Sequence, residues 1–195
     1  YRIWLLLDRL DVAFATSAEL ERNALRALFR VYLDFLGYEN ISIKIFLRDD
    51  IWSRISTGGF REASHITRTI NIRWNRTTLL NLIIRRLLRN VEVVKYLDVK
   101  PEMVLEDVGL QEKVFYRVFP GQIDVGQKKP SAFRWMLLRV QDGTKENVPR
   151  ELIHLVSEAR RIQVERLNIG HDEPDGEQLF DRNSFYEALP IVSKV

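Results

Sequence analysis

Ile3-Trp4-Leu5-Leu6-Leu7-Asp8 is a run of apolar residues stopped by a carboxylate. A short continuous apolar run with so abrupt an end is the pattern of a strand buried on both faces, as in a parallel sheet flanked by helices; a short helix is the competing reading. Past a polar stretch through Thr16 and Ser17, the residues Leu20, Ala24, Leu25, Leu28, Val31, Tyr32 and Phe35 recur at spacings of three and four. That spacing predicts a helix over 18–36, capped by Ser17 and ended by Gly37. Ile41-Ser42-Ile43-Lys44-Ile45-Phe46-Leu47 alternates before filling in as apolar, which predicts a second strand ending at Arg48-Asp49-Asp50. Strand, helix, strand is a right-handed crossover unit. Its two strands are expected to be parallel, with Asp8 and Arg48 at the same carboxyl edge, where open α/β sheets bind their ligands. Thr69 to Trp74 offers a third, weaker strand.

From residue 77 the texture becomes helical. Leu79, Leu80, Leu82, Ile83, Ile84, Leu87 and Leu88 follow Thr77 and Thr78, with Arg85, Arg86 and Arg89 in the last turns, where cations complement the helix dipole. Residues 91–131 read as mixed and turn-rich, punctuated by Pro101, Pro120, Gly121, Gly126 and Pro130. A helix is expected over Phe133 to Val140. A long one opens at Asn147-Val148-Pro149-Arg150 and reaches about Leu167, with Asn147 as cap and proline in the first turn. An acidic loop over 170–178 and a last short helix near Arg182 complete the chain. The expected fold is therefore α/β followed by all-α: a partial parallel sheet over residues 1–76, a helical domain over 77–168, and a loop with a terminal helix over 169–195.

Composition narrows the chemistry. The 195 residues are 46% apolar and 29% charged, with 30 Lys and Arg against 27 Asp and Glu, a composition that excludes a wholly disordered or collagenous chain. There is no cysteine, which excludes disulfides, cysteine-ligated zinc or iron–sulfur centres and thiol catalysis. A net charge of +3 is too small to argue for nucleic acid by itself, and no apolar run approaches the roughly 20 residues of a membrane-spanning helix. The expectation is a soluble, cytoplasmic protein with no membrane partner. Because the chain opens on Tyr1-Arg2-Ile3, without Met or a turn ahead of a core strand, a preceding segment is expected to be missing.

Three places could carry chemistry. Asp8, at the end of a buried strand, is costly to desolvate unless a cation or hydrogen-bond donor meets it; a purely structural reading has it capping the next turn or pairing with Arg9. Arg48, at the tip of the neighbouring strand, has the planar fork that suits phosphate oxygens, or it pairs with Asp8 or Asp49 and neutralises the edge. Arg150, in the first turn of its helix, reaches outward while Ile153 and Val156 anchor the helix below. His65, His154 and His171 have no partner at ligand spacing, and no Gly-x-Ser-x-Gly elbow is present. The four tryptophans, Trp4, Trp52, Trp74 and Trp135, are expected to be core and interface anchors.

Taken in order, Leu-Leu-Leu-Asp8-Arg-Leu-Asp11, Ile-Phe-Leu-Arg48-Asp-Asp and Asn147-Val-Pro-Arg150-Glu-Leu-Ile resemble the carboxyl-terminal part of a bacterial P-loop ATPase of the AAA+, STAND and KAP kind. The resemblance covers residues 1–168. It implies that Ile3 to Asp8 is the Walker B strand, with Asp8 holding magnesium. It makes Ile41 to Leu47 the sensor 1 strand, residues 77–168 the helical lid, and Arg48 and Arg150 the sensor arginines that bind ATP and act in catalysis. Asp11 is implied as the residue helping to activate water, because Arg9 stands where many members carry a second acid. Arg54, Arg61 and Arg68 are candidates for an arginine finger acting across a subunit boundary.

The sequence also departs from that pattern. It contains no Gly-x-x-x-x-Gly-Lys-Ser/Thr loop, and Gly58-Gly59 is followed by Phe60-Arg61, which cannot cradle phosphate. ATP and magnesium are thus expected in the complete parent protein, with none bound tightly by this chain alone. The partner implied is the missing amino-terminal part of the core, with a homo-oligomer and nucleic acid admitted by the resemblance. The alternative is a helical DNA-binding or protein-interaction module without catalytic activity, carried by Arg85, Arg86, Arg89, Arg150, Arg160, Arg161 and Arg166.

Overall fold

The computed structural model describes residues 1–10, 17–57, 59–141 and 149–193. Asp11, Gly58 and Asn147 lie outside them. The protein is mostly helical, with a small two-stranded parallel sheet followed by helices, and its chain divides into two compact units, 1–71 and 72–195.

The first unit is the crossover. Strand β1 (Ile3–Leu7) pairs in parallel with β2 (Ile41–Ile45), Ile3 opposite Ile41 and Leu7 opposite Ile45. Between them runs helix α1 (Ala18–Phe35), where the Ser17 hydroxyl accepts from the Leu20 N–H at 3.3 Å and Glu19 and Glu21 sit at the positive end of the dipole. Helix α2 (Asp49–Thr57) and a 3-10 turn (Arg61–His65) follow. The buried core of this unit is Leu25, Phe29, Ile51, Ile55 and Phe60, with Leu28, Ile45, Leu47 and Trp52 packed around it. Phe29 meets Trp52 edge-on at 5.1 Å between ring centroids.

Two expectations fail in this unit. Strand β1 is not buried on both faces: Ile3, Trp4, Leu5 and Leu6 are all exposed. The pairing register sets Trp4 beside Ser42 and Leu6 beside Lys44 on one face, a half-polar surface where Lys44 Nζ lies 4.5 Å from the Trp4 ring centroid. On the other face α1 packs against β2, while Ile3 and Leu5 stay exposed. Thr69 to Trp74 is not a strand either. An extended segment becomes one only with a ladder partner, and among the described residues only β1 and β2 pair.

The second unit is a helical cluster. Helix α3 (Arg76–Leu87) starts in a capping box: Asn75 Oδ1 accepts from the Thr78 N–H and Thr78 Oγ1 from the Asn75 N–H, both at 2.9 Å. Leu79, Leu80, Ile83 and Ile84 form its buried face. The stretch 91–131, expected to be mixed and turn-rich, holds three helices: α4 (Val91–Leu97), α5 (Pro101–Glu106) and α6 (Val108–Val118). Asn90 and Asp107 cap α4 and α6, and Pro101 occupies the first position of α5, where its missing N–H costs nothing. Helices α7 (Ala132–Arg139) and α8 (Pro149–Asn168) fall where periodicity sets them. Helix α9 (Arg182–Val192) packs along α8 and delivers Phe185, Ala188 and Val192 into the same core as Leu152, Leu155 and Phe115. The terminal helix therefore belongs to the helical unit. No described helix is long and apolar enough to cross a membrane.

Candidate functional site

The crossover brings Asp8 and Arg48 to one edge. The Phe46 N–H donates to the Leu7 carbonyl at 2.8 Å, closing the parallel ladder, so Asp8 and the Phe46-Leu47-Arg48 segment leave the sheet side by side at its carboxyl end. The Asp8 carboxylate is exposed, and its Oδ1 accepts from the Arg9 N–H at 2.8 Å. Arg9 itself has φ of 56°, in the left-handed region that costs a side-chain-bearing residue on the order of 1 kcal/mol. Such backbone concentrates at functional edges.

Arg48 lays its fork on Asp50, Nε to Oδ1 at 3.0 Å and Nη2 to Oδ2 at 3.2 Å. The local sequence explains the choice. The Arg48 carbonyl accepts from the Trp52 N–H, so α2 starts immediately after it, and Asp49 and Asp50 fall in the first turn, where the dipole favours acids. Both partners of the pair are more than half exposed, and such pairs contribute only about 0–1 kcal/mol, little enough for an incoming anion to take the guanidinium.

The other candidates are distributed differently. Arg150 is the second residue of α8, exposed, in the helical unit. Arg54 is held by Glu21 of α1 at 3.2 Å, a structural tie within the chain, while Arg61 and Arg68 are exposed. His65, His154 and His171 are dispersed, and among the described residues no three metal-ligating side chains come together. A hydrated ion held by one carboxylate, as expected of Asp8, requires no such cluster.

Part of the basic set of the helical unit is neutralised internally. Arg161 pairs with Glu158 and Glu165, and Arg166 with Glu187 at 2.7 Å. A polar cluster that the sequence does not reveal joins the loop before α7 to α9: the Tyr186 hydroxyl donates to Asp124 Oδ1 at 2.6 Å. That hydrogen bond holds the Asp124 carboxyl below the usual aspartate range and pushes the Tyr186 hydroxyl above its own. The partners stand 62 residues apart, so no spacing in the sequence signals them.

Comparison of the chain with protein-family models, with curated proteins and with solved structures finds no match in any of the three.

Proposed function

We propose that this chain supplies the Walker B strand, the sensor 1 strand and the helical lid of a magnesium- and ATP-dependent P-loop ATPase that works as a switch or motor. One observation carries the reading: parallel β1 and β2 leave an exposed carboxylate, Asp8, and an arginine, Arg48, at a common carboxyl edge, which is where open α/β sheets bind ligands. The left-handed Arg9 beside Asp8 and the uncovered apolar faces of β1 support it. A parallel strand with Trp4, Leu5 and Leu6 exposed offers surface for a further α/β segment, and that segment would bring the phosphate loop.

The residues present fit part of such a site. Asp8 has the exposed carboxylate to hold a hydrated magnesium ion, and Arg48, freed from Asp50, has the fork to meet phosphate oxygens. No glycine-lysine loop exists in the sequence to cradle phosphates, so the chain by itself has only part of the required donors. In this reading magnesium and ATP supply the reactive phosphoryl group. The protein's own part is to place charge around it, with Arg48 and Arg150 balancing the charge that develops.

The alternative, a DNA-binding or interaction module without catalysis, rests on the arginines of the helical unit. The pairing of Arg161 and Arg166 with acids removes part of that set and favours the ATPase reading. The test is hydrolysis by the complete protein carrying Arg48→Gln or Arg150→Gln. Each substitution is expected to lower kcat roughly a hundredfold while nucleotide affinity changes far less. Wild-type kcat in both variants would refute the assignment.

A further inference from the structure

A cavity of about 540 Å³ opens in the helical unit between α3, the start of α4 and α8, within the range of small-molecule sites. Its walls are apolar, including Ile83, Leu87, Val156 and Phe180, and three arginines, Arg86, Arg89 and Arg160, stand around it. Among the described residues no aspartate or glutamate lines it. Among the described residues none of these three guanidinium groups has an ion-pair or hydrogen-bond partner. Their neighbours on the same helices do: Arg85 donates to Asn81 at 2.7 Å, Arg161 pairs with two glutamates, and Arg166 with Glu187. Arg86, Arg89 and Arg160 thus stand at the cavity without a counter-charge among the described residues.

Gln163 adds a second, independent observation. It lines the cavity and is only 3% exposed. Its Oε1 accepts from the Asp181 N–H at 2.9 Å, which fixes the amide orientation, and its Nε2 is then a buried donor without a partner. A buried donor left unpaired costs about 1–3 kcal/mol. Three like charges around one concavity add mutual repulsion, and that cost falls when a group carrying negative charge arrives.

We propose that this cavity binds a small amphipathic anion, a carboxylate or phosphate head on an apolar chain. The head is met by Arg86, Arg89 and Arg160, whose planar forks suit either group, and the chain lies against the apolar wall. The site is independent of the ATPase reading, since Asp8, Arg48 and Arg150 do not line it.

The experiment is titration of the chain with octyl phosphate and with octanoate, below their micelle-forming concentrations, followed by amide chemical shifts. Inorganic phosphate and 1-octanol serve as the head alone and the chain alone. At least one of the two anions is expected to bind tenfold or more tighter than both controls, shifting amides of α3, α4 and α8, and the tighter anion identifies the head group. Arg86→Gln combined with Arg160→Gln, both at exposed positions, should weaken binding at least tenfold with an unchanged unfolding midpoint. Val156→Trp should block the cavity. Octanol binding as tightly as the anions, phosphate binding as tightly as octyl phosphate, shifts confined to other residues, full affinity in the double variant, or no binding up to millimolar ligand would each overturn the proposal.

Discussion

In the unit formed by residues 1–71, Trp4 is 61% exposed and Leu6 58%; in the unit formed by residues 72–195, Trp135 is 2% exposed and Phe115 is fully buried. Both units bury a core of apolar residues, but the first leaves the apolar side chains of β1 outside it. Its helices surround Phe115, which meets the rings of Phe119 and Phe133 at centroid distances of 4.5 and 5.1 Å. The first unit closes α1 over β2 and α2 and leaves β1 bare. Apolar surface concentrated on one paired strand is what an interaction surface looks like, whereas apolar surface spread over helix interiors is spent on folding. The difference is one of cover: the first unit leaves the apolar side chains of one paired strand exposed, whereas the helical unit buries its largest aromatic side chains.

Substitution at the two tryptophans would break or sharpen that contrast most strongly. Trp135→Ala should cost about 3–5 kcal/mol, the range of a large aromatic removed from a closed core, as measured by denaturant unfolding of the helical unit. Trp4→Ala should change the stability of this chain by only about 0.5 kcal/mol, since what it loses is an exposed ring and its contact with Lys44. Equal costs at the two sites would erase the distinction between the units.

The smallest effect concerns pH. Asp124 has its carboxyl lowered in the folded protein by the Tyr186 hydroxyl, so the interaction stabilises the fold above the unfolded aspartate range and fades as pH falls through the lowered value. Tyr186→Phe should move the Asp124 titration upward toward the ordinary aspartate value and reduce the acid sensitivity of the helical unit. Titration of the Asp124 carboxyl by NMR reads the shift directly, and an unmoved titration would remove the hydrogen bond as its cause.

Much of this contrast is legible in the sequence, and the exceptions have physical reasons. Ser17, the three-four spacing through Phe35 and the two apolar runs give the crossover, because each element declares its own period. Pro149 and the residues after it give α8. The helices over 91–118 are hidden because six- to eleven-residue helices carry little periodicity, and Pro101 reads as a break although it sits at a helix's first position, where it is tolerated. The exposure of β1 is hidden because an all-apolar run presupposes cover, and cover is a property of neighbours.

At the candidate site the common edge of Asp8 and Arg48 follows from topology, which the order of elements dictates. The pairing of Arg48 with Asp50 does not. It depends on α2 beginning at Asp49, a boundary that the acidic dipeptide masks by reading as the end of a strand. The unpaired arginines at the helical cavity were visible only as a charged face, since which of Arg85, Arg86, Arg160 and Arg161 find acids is decided by rotation about the helix axis.

The most direct test of the central claim is ATP hydrolysis by the complete protein with Asp8→Asn. Asp8 is exposed, and its hydrogen bond is to the N–H of the next residue, so the isosteric amide leaves the fold intact while removing the charge proposed to hold magnesium. The account predicts hydrolysis reduced roughly a hundredfold or more with the protein still folded. Hydrolysis at the wild-type rate would contradict it.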